Sequence, residues 1–256
     1  MSHSVPQHFY KYRSLTGDGL DNCRDIFANS RLYWPTPRSF NDPFDCAPVP
    51  AFPESQRDRR RYARDLVERT ATNESKAERK AILKKMISDD LALLENDANR
   101  VVHERLAKVG VCSFSEVHDD VLMWSHYADS HRGICLRFSP TIFDWEHFLP
   151  HEVAYSRQRP RLPMSSEDMN EWVQAALLTK AKQWRYEREW RTFDVDGPGY
   201  HLFRPSMLDG VILGALIEPI KKELIVNCIS SRSPVNTKIF QASIESHDFV
   251  VSVSEV

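Results

Sequence analysis

From about Ser55 to Val109 the chain turns from β-prone to helical, and this interruption constrains the fold more than any other feature. Arg, Lys, Asp, Glu and Ala dominate the stretch, and apolar residues recur at helical spacing, as at Leu91, Leu94, Ala98, Val101 and Leu106. Such a period over such a length gives two or three amphipathic helices. Both flanks read differently. His8 to Leu15 alternates aromatic and basic residues; Asp18 to Asn29 carries Leu20, Cys23, Ile26 and Phe27 at helical spacing; Arg31 to Trp34 is short and β-prone. This opening is strand–helix–strand. The segment PTPRSFNDPFD, with Asn41-Asp42-Pro43, marks a structured turn.

After Gly110 the β character returns in VCSFSE and GICLRFS. A second helix is expected from about Ser165 to Lys182, started by two serines with acids in the first turn. QWRYEREWRTFDV follows as a strand. The tail from Asp209 reads strand (GVILGA), helix (Pro219 to about Ser230), strand (TKIFQASI) and strand (FVVSVSEV). Pro219 stands near the first helical position, where its missing N–H costs nothing. The fold class predicted is α+β: a mostly antiparallel sheet in one domain over residues 1–256, with a helical insertion at about 55–109.

Composition narrows the function classes. A 41% hydrophobic content over 256 residues is enough for a sizeable core, and 27% charged residues is ordinary for a globular chain. The net charge of −2 gives no global pull on nucleic acid or anionic membrane, although a local basic patch is compatible with it. No signal-peptide core stands near the start, and no apolar run approaches the roughly 18 residues that span a bilayer. Five scattered cysteines without a C-x-x-C pair argue against a disulfide framework or a zinc ribbon. A cytoplasmic protein without a membrane partner is the expectation.

Familiar catalytic signatures are absent: no P-loop, no G-x-S-x-G elbow, no complete dinucleotide fingerprint. His151-Glu152-Val153-Ala154-Tyr155 approaches the zinc motif H-E-x-x-H, but Tyr155 stands where the second ligand belongs. No metal site is expected. In RYEREWR, a regular strand would put Trp184, Tyr186, Arg188 and Trp190 on one side and Arg185, Glu187, Glu189, Arg191 and Phe193 on the other. Glu187 and Glu189 would then lie about 7 Å apart among arginines. That pattern fits either an exposed face laced by weak ion pairs or a carboxylate site. The stretch MWSHYADSHRG poses the same choice: Trp124, His126 and Tyr127 either satisfy buried loop backbone or line a ligand cleft. Arg57, Arg59, Arg60, Arg61 and Arg64 form a basic helix, either a solvated face balanced by Asp58, Asp65 and Glu68 or a phosphate-binding one.

The ordered segments YKYRSL, SFNDPFD, VCSFSE, LMWSHYADSHRGICLRFS and WRYEREWR resemble a widespread prokaryotic family, domain of unknown function 2971, over roughly residues 9–195. That family implies no function. Arg13, Ser113-Phe114-Ser115 and Glu187-Arg188-Glu189 are also similar, in order and type, to the arginine, S-x-S and E-x-E motifs of ADP-ribosyltransferase folds. The long helical stretch 55–109 departs from that pattern. The second resemblance implies NAD as a substrate, with nicotinamide–ribose cleavage through an oxocarbenium-like state. Arg13 would bind phosphate, Ser113 and Ser115 would position ribose, and Glu189 would be the key carboxylate, assisted by Glu187. Tyr12 or Trp124 would stack on nicotinamide, with His126 and Tyr127 lining the cleft. A protein or nucleic-acid acceptor follows, in the setting of a toxin or phage-defence effector. The other reading is a non-catalytic nucleotide- or nucleic-acid-sensing module using the arginine-rich helix. A metal-dependent nuclease ranks third, because no carboxylate cluster stands out beyond Asp42/Asp45 and Glu187/Glu189.

Overall fold

The computed structural model describes residues 5–87, 91–141, 149–164, 168–232 and 236–256. In chain order the elements are β1 (Phe9–Arg13), α1 (Gly19–Asn29), β2 (Arg31–Trp34), β3 (Val49–Ala51), α2 (Gln56–Thr70), α3 (Lys76–Ile87), α4 (Leu91–Leu106), β4 (Gly110–Ser115) and α5 (Val121–Tyr127). There follow β5 (Ile134–Phe138), β6 (His151–Glu152), β7 (Ala154–Ser156), β8 (Arg161–Pro163), α6 (Met169–Ala176), β9 (Thr179–Ala181), β10 (Glu189–Asp194) and β11 (Gly199–Leu202). The chain ends with β12 (Leu208–Leu213), α7 (Pro219–Ser230), β13 (Lys238–Ile244) and β14 (Val251–Glu255). Contacts divide it into two compact units: residues 1–36, 109–155 and 182–256 form the first, and 37–108 with 156–181 the second.

The first unit is built on a sheet of eight strands in the order β14-β13-β12-β5-β1-β4-β10-β6. Its pairings are antiparallel except β12 with β13, as the α+β expectation required. Side-chain alternation sorts the strands onto two faces. Phe9, Phe114, Leu136, Phe138 and Trp190 turn one way, against Cys23, Ile26 and Phe27 of α1 and Ile225 and Ile229 of α7. Tyr10, Tyr12, Cys135 and Ile212 turn the other way, against Met123, Trp124 and Ala128 at α5. Each fully buried large side chain here contributes about 1.5–3 kcal/mol of transfer free energy, which fixes the register of every central strand.

One join in this sheet is thin. β1 runs along β5 through five residue pairs, Phe9↔Phe138 to Arg13↔Ile134, but meets β4 only at Tyr10↔Ser115. Beyond that point Lys11 takes over: its Nζ donates to the Ser113 carbonyl at 2.8 Å and lies 5.2 Å from the centre of the Phe114 ring. A side-chain amine thus satisfies a backbone acceptor in this central strand.

The second unit contains α2, α3 and α4, so the stretch 55–109 is helical, and among its described residues no strand occurs. β3 and β8 pair in parallel beside them, and Lys180 forms a buried ion pair with Asp45 at 3.4 Å. Two sequence expectations need correction. Among the described residues the helix expected from about Ser165 to Lys182 spans Met169–Ala176, and Thr179–Ala181 forms β9; positions 165–167 of that expectation lie outside the described residues. RYEREWR is not a continuous strand: Lys182–Glu187 is a 3-10 helix, Arg188 has φ 42°, and β10 begins only at Glu189. A non-glycine residue in that region reverses the chain direction locally, so the alternation assumed for Trp184 to Trp190 does not exist.

Candidate functional site

The break at Arg188 organises the site. It ends the 3-10 helix with Arg188 N–H donating to the Arg185 carbonyl at 3.2 Å, and Glu116 N–H donates to the Arg188 carbonyl at 3.2 Å. Glu187 and Glu189 thereby acquire different surroundings. The Glu189 carboxylate accepts from Arg191 Nε at 2.7 Å and Nη2 at 3.0 Å, a fork-to-fork pair that is almost wholly buried. Its backbone N–H donates to the Tyr155 hydroxyl at 2.7 Å. Glu187, also buried, accepts from the Tyr127 hydroxyl at 2.6 Å through Oε1, while its carbonyl accepts from Ser115 Oγ at 2.6 Å.

α5 supplies the opposite wall. Asp120 caps it, its carboxylate accepting from the N–H groups of Leu122 and Met123 at 2.9 and 3.0 Å. Trp124 is fully buried, edge-on to Tyr12 at 5.2 Å between centroids, and its indole N–H donates to the His118 carbonyl at 2.8 Å. Tyr12 donates in turn to the Val117 carbonyl at 3.1 Å, and burial pushes its phenol pKa far upward. Two residues on, on the other side of α5, exposed His126 meets the Tyr186 hydroxyl at 3.0 Å and lies 6.2 Å, edge to face, from Trp184. Trp184 and Tyr186, both half-buried, are 6.0 Å apart. The result is a cluster of three aromatic groups, His126 from α5 against Trp184 and Tyr186 of the turn that carries Glu187.

Behind α5 the chain is strained. Asp129, Ser130 and His131 have φ of 49°, 51° and 67°, three consecutive left-handed residues, each disfavoured by about 1–2 kcal/mol. The turn is locked by His131 N–H to the Trp124 carbonyl at 3.1 Å and Gly133 N–H to the Ala128 carbonyl at 2.7 Å. It also requires bare glycines. A Cβ on Gly133 would fall 2.2 Å from the Arg13 carbonyl oxygen, and one on Gly214 would fall 2.3 Å from the His131 carbonyl oxygen.

The proposed site residues therefore separate. Tyr12, Ser113, Ser115, Glu189 and Arg191 share one face of the sheet by alternation with Cys112, Phe114 and Trp190, and β10 pairs Glu189 with Ser115 and Arg191 with Ser113. Trp124, Tyr127 and Glu187 join them. Arg13 does not: it alternates with Phe9 and Lys11 onto the opposite face, where its charge acts on the Cys23 thiol of α1. Its Nε is buried without an acceptor. The arginine–serine–glutamate cluster implied by the resemblance is not assembled in one place. Lys11 and Glu116, which takes Trp190 Nε1 at 3.2 Å, were not singled out by sequence, and Tyr155 was noted only as the residue that breaks the zinc motif. Lys11 alone had a local signal, a cation in register with core residue Phe9.

Among the described residues, no three His, Cys, Asp or Glu side chains gather as a metal site, and no helix is long and apolar enough to cross a membrane. A family model described as "Protein of unknown function (DUF2971)" matches residues 123–192. The match supports that family resemblance and runs from α5 into β10, the span that contains Tyr127, Glu187 and Glu189. No curated protein and no solved structure matches the chain.

Proposed function

We propose that the first unit cleaves or transfers at the N-glycosidic bond of a nucleotide, with NAD as the donor, and that Glu187 is the carboxylate beside the reacting sugar. The reading rests on the convergence at Glu187, where VCSFSE contributes Ser115, MWSHYAD contributes Tyr127 and RYEREWR contributes the acid itself. Glycosidic cleavage builds positive charge on the sugar ring, and a carboxylate fixed beside it in a water-poor setting lowers the barrier. Tyr127 orients Oε1, and a ribose hydroxyl takes over that hydrogen bond when the nucleotide binds. His126, Trp184 and Tyr186 offer ring faces and edges for a planar base. Glu189, tied to Arg191, holds the start of β10, and Trp124 with Tyr12 supports the wall from behind.

The test is release of nicotinamide from NAD by purified protein, with and without nucleic acid or protein extract as acceptor. Glu187→Gln is expected to reduce turnover by about 10²–10⁴-fold with the fold retained, and Tyr127→Phe by a smaller factor. Absence of nicotinamide release under every acceptor condition refutes the proposal.

A further inference from the structure

Within the second unit the α2–α3 hairpin carries charge unlike the rest of the chain. Residues 56–87 hold eleven Arg and Lys against five Asp and Glu, a net of +6 in a chain whose total is −2. Two of those acids serve helix starts. Ser55 Oγ donates to the Asp58 carboxylate at 2.6 Å and accepts from its N–H, and Glu78 accepts from the Ser75 N–H at 2.8 Å. On α2, Arg57, Arg60, Arg61 and Arg64 follow the i, i+3, i+4, i+7 spacing and are all exposed. At about 100° per residue they occupy an arc about 100° wide and about 10 Å long. Ala63 and Val67, buried on the same helix, lie beside that arc, about 110° and 70° from its centre. Among the described residues none of the four arginines is hydrogen-bonded or ion-paired.

We propose that this stripe binds the sugar–phosphate backbone of a nucleic acid. Four unpaired guanidinium groups at close, regular spacing suit a partner that repeats anions along a line, and each planar fork matches a phosphate. The apolar residues of α2 face inward, so the helix has no free apolar face to lay into a bilayer. The inference stands independently of the chemistry proposed for Glu187.

The experiment is fluorescence anisotropy of labelled single-stranded and duplex oligonucleotides against the full chain over a salt series. Polyglutamate and anionic phospholipid vesicles serve as competing polyanions. If all four arginines meet phosphates, replacing them together with Gln lowers the log–log salt slope by about 3.6 for duplex or about 2.8 for single strands. Replacing all four with Lys keeps most of that slope. Should the fourfold Gln variant melt early, Arg57→Gln/Arg60→Gln and Arg61→Gln/Arg64→Gln are each expected to remove about half of it. The proposal is overturned if the wild-type chain fails to bind oligonucleotides at low salt, if the slope is indifferent to these substitutions, or if polyglutamate or vesicles bind while oligonucleotides do not.

Discussion

Replacing Glu189 by Gln separates a structural carboxylate from a catalytic one. The side chain is nearly isosteric, but it strips Arg191 of the charge that faces it across bonds of 2.7 and 3.0 Å. The arginine side chain is 0% exposed and the glutamate 4%, so water cannot screen the change. Removing one partner of a buried ion pair costs about 3–5 kcal/mol. At about 2–4 °C per kcal/mol for a domain of this size, Tm should fall by about 6–20 °C. The assay is thermal and urea denaturation followed by tryptophan fluorescence, since Trp124 and Trp190 both lie in this unit. Glu189→Leu combined with Arg191→Met should recover most of the loss, because an apolar pair of similar volume has no desolvation to repay. An unchanged Tm for Glu189→Gln, with nicotinamide release abolished, would falsify the structural assignment and return the catalytic role to Glu189.

Burial is the largest influence holding the pKa of His8, His118, His131 and His151 below 6.5. Each therefore binds a proton less readily folded than unfolded; stability is fully present above pH 6.5 and is lost as pH falls through the lowered values, so Tm should drop between about pH 7 and about pH 5. Burial also pushes the Cys23 thiol up to about 11 and the Cys135 thiol well above its ordinary range. Together with buried Cys46 and Cys112 they should resist Ellman's reagent in the native protein, leaving half-buried Cys228 to react; two or more fast thiols would contradict this. Gly133→Ala should destabilise strongly, by about 2–4 kcal/mol, because its Cβ meets backbone of Arg13 on β1 and of Ala128 just after α5 and neither can retreat; a variant melting with the wild type would remove the close approach as a constraint.

The helical period of 55–109 was legible because α2 and α4 each repeat buried apolar residues at helical spacing (Ala63 and Val67; Ala98, Val102 and Leu106). By contrast, α3 has no buried residue and announces itself by helix-favouring composition alone. The central strands were legible because their faces differ in polarity. Pro219 marked the start of α7 to the residue. What was hidden was set by contacts distant in sequence. Nothing in RYEREWR announces a left-handed Arg188; the kink exists because Ser115, Glu116 and Tyr127 hold its two sides from other elements. The same holds for Glu187, whose polar neighbours lie far from it along the chain. Arg13 shows the opposite limit. Its strand was correctly placed, but the alternation that sends Phe9 into the core carries Arg13 to the same side, away from Glu189.

The order of strands has a cost in time. β1 sits at the middle of the sheet, yet its partners β5 and β4 come late, β4 beginning only at Gly110. On a ribosome adding about 5–20 residues per second, Phe9, Tyr10 and Tyr12 remain without a partner strand for about 5–20 s. During that interval α2 and α3 have what they need to pack on each other, since their contacts are local. The sheet has to wait for β10 and β12 before it can close around β1, and such distant pairings form slowly. The nascent chain therefore shows the aromatic strand β1 long before its partner strands and buries it late.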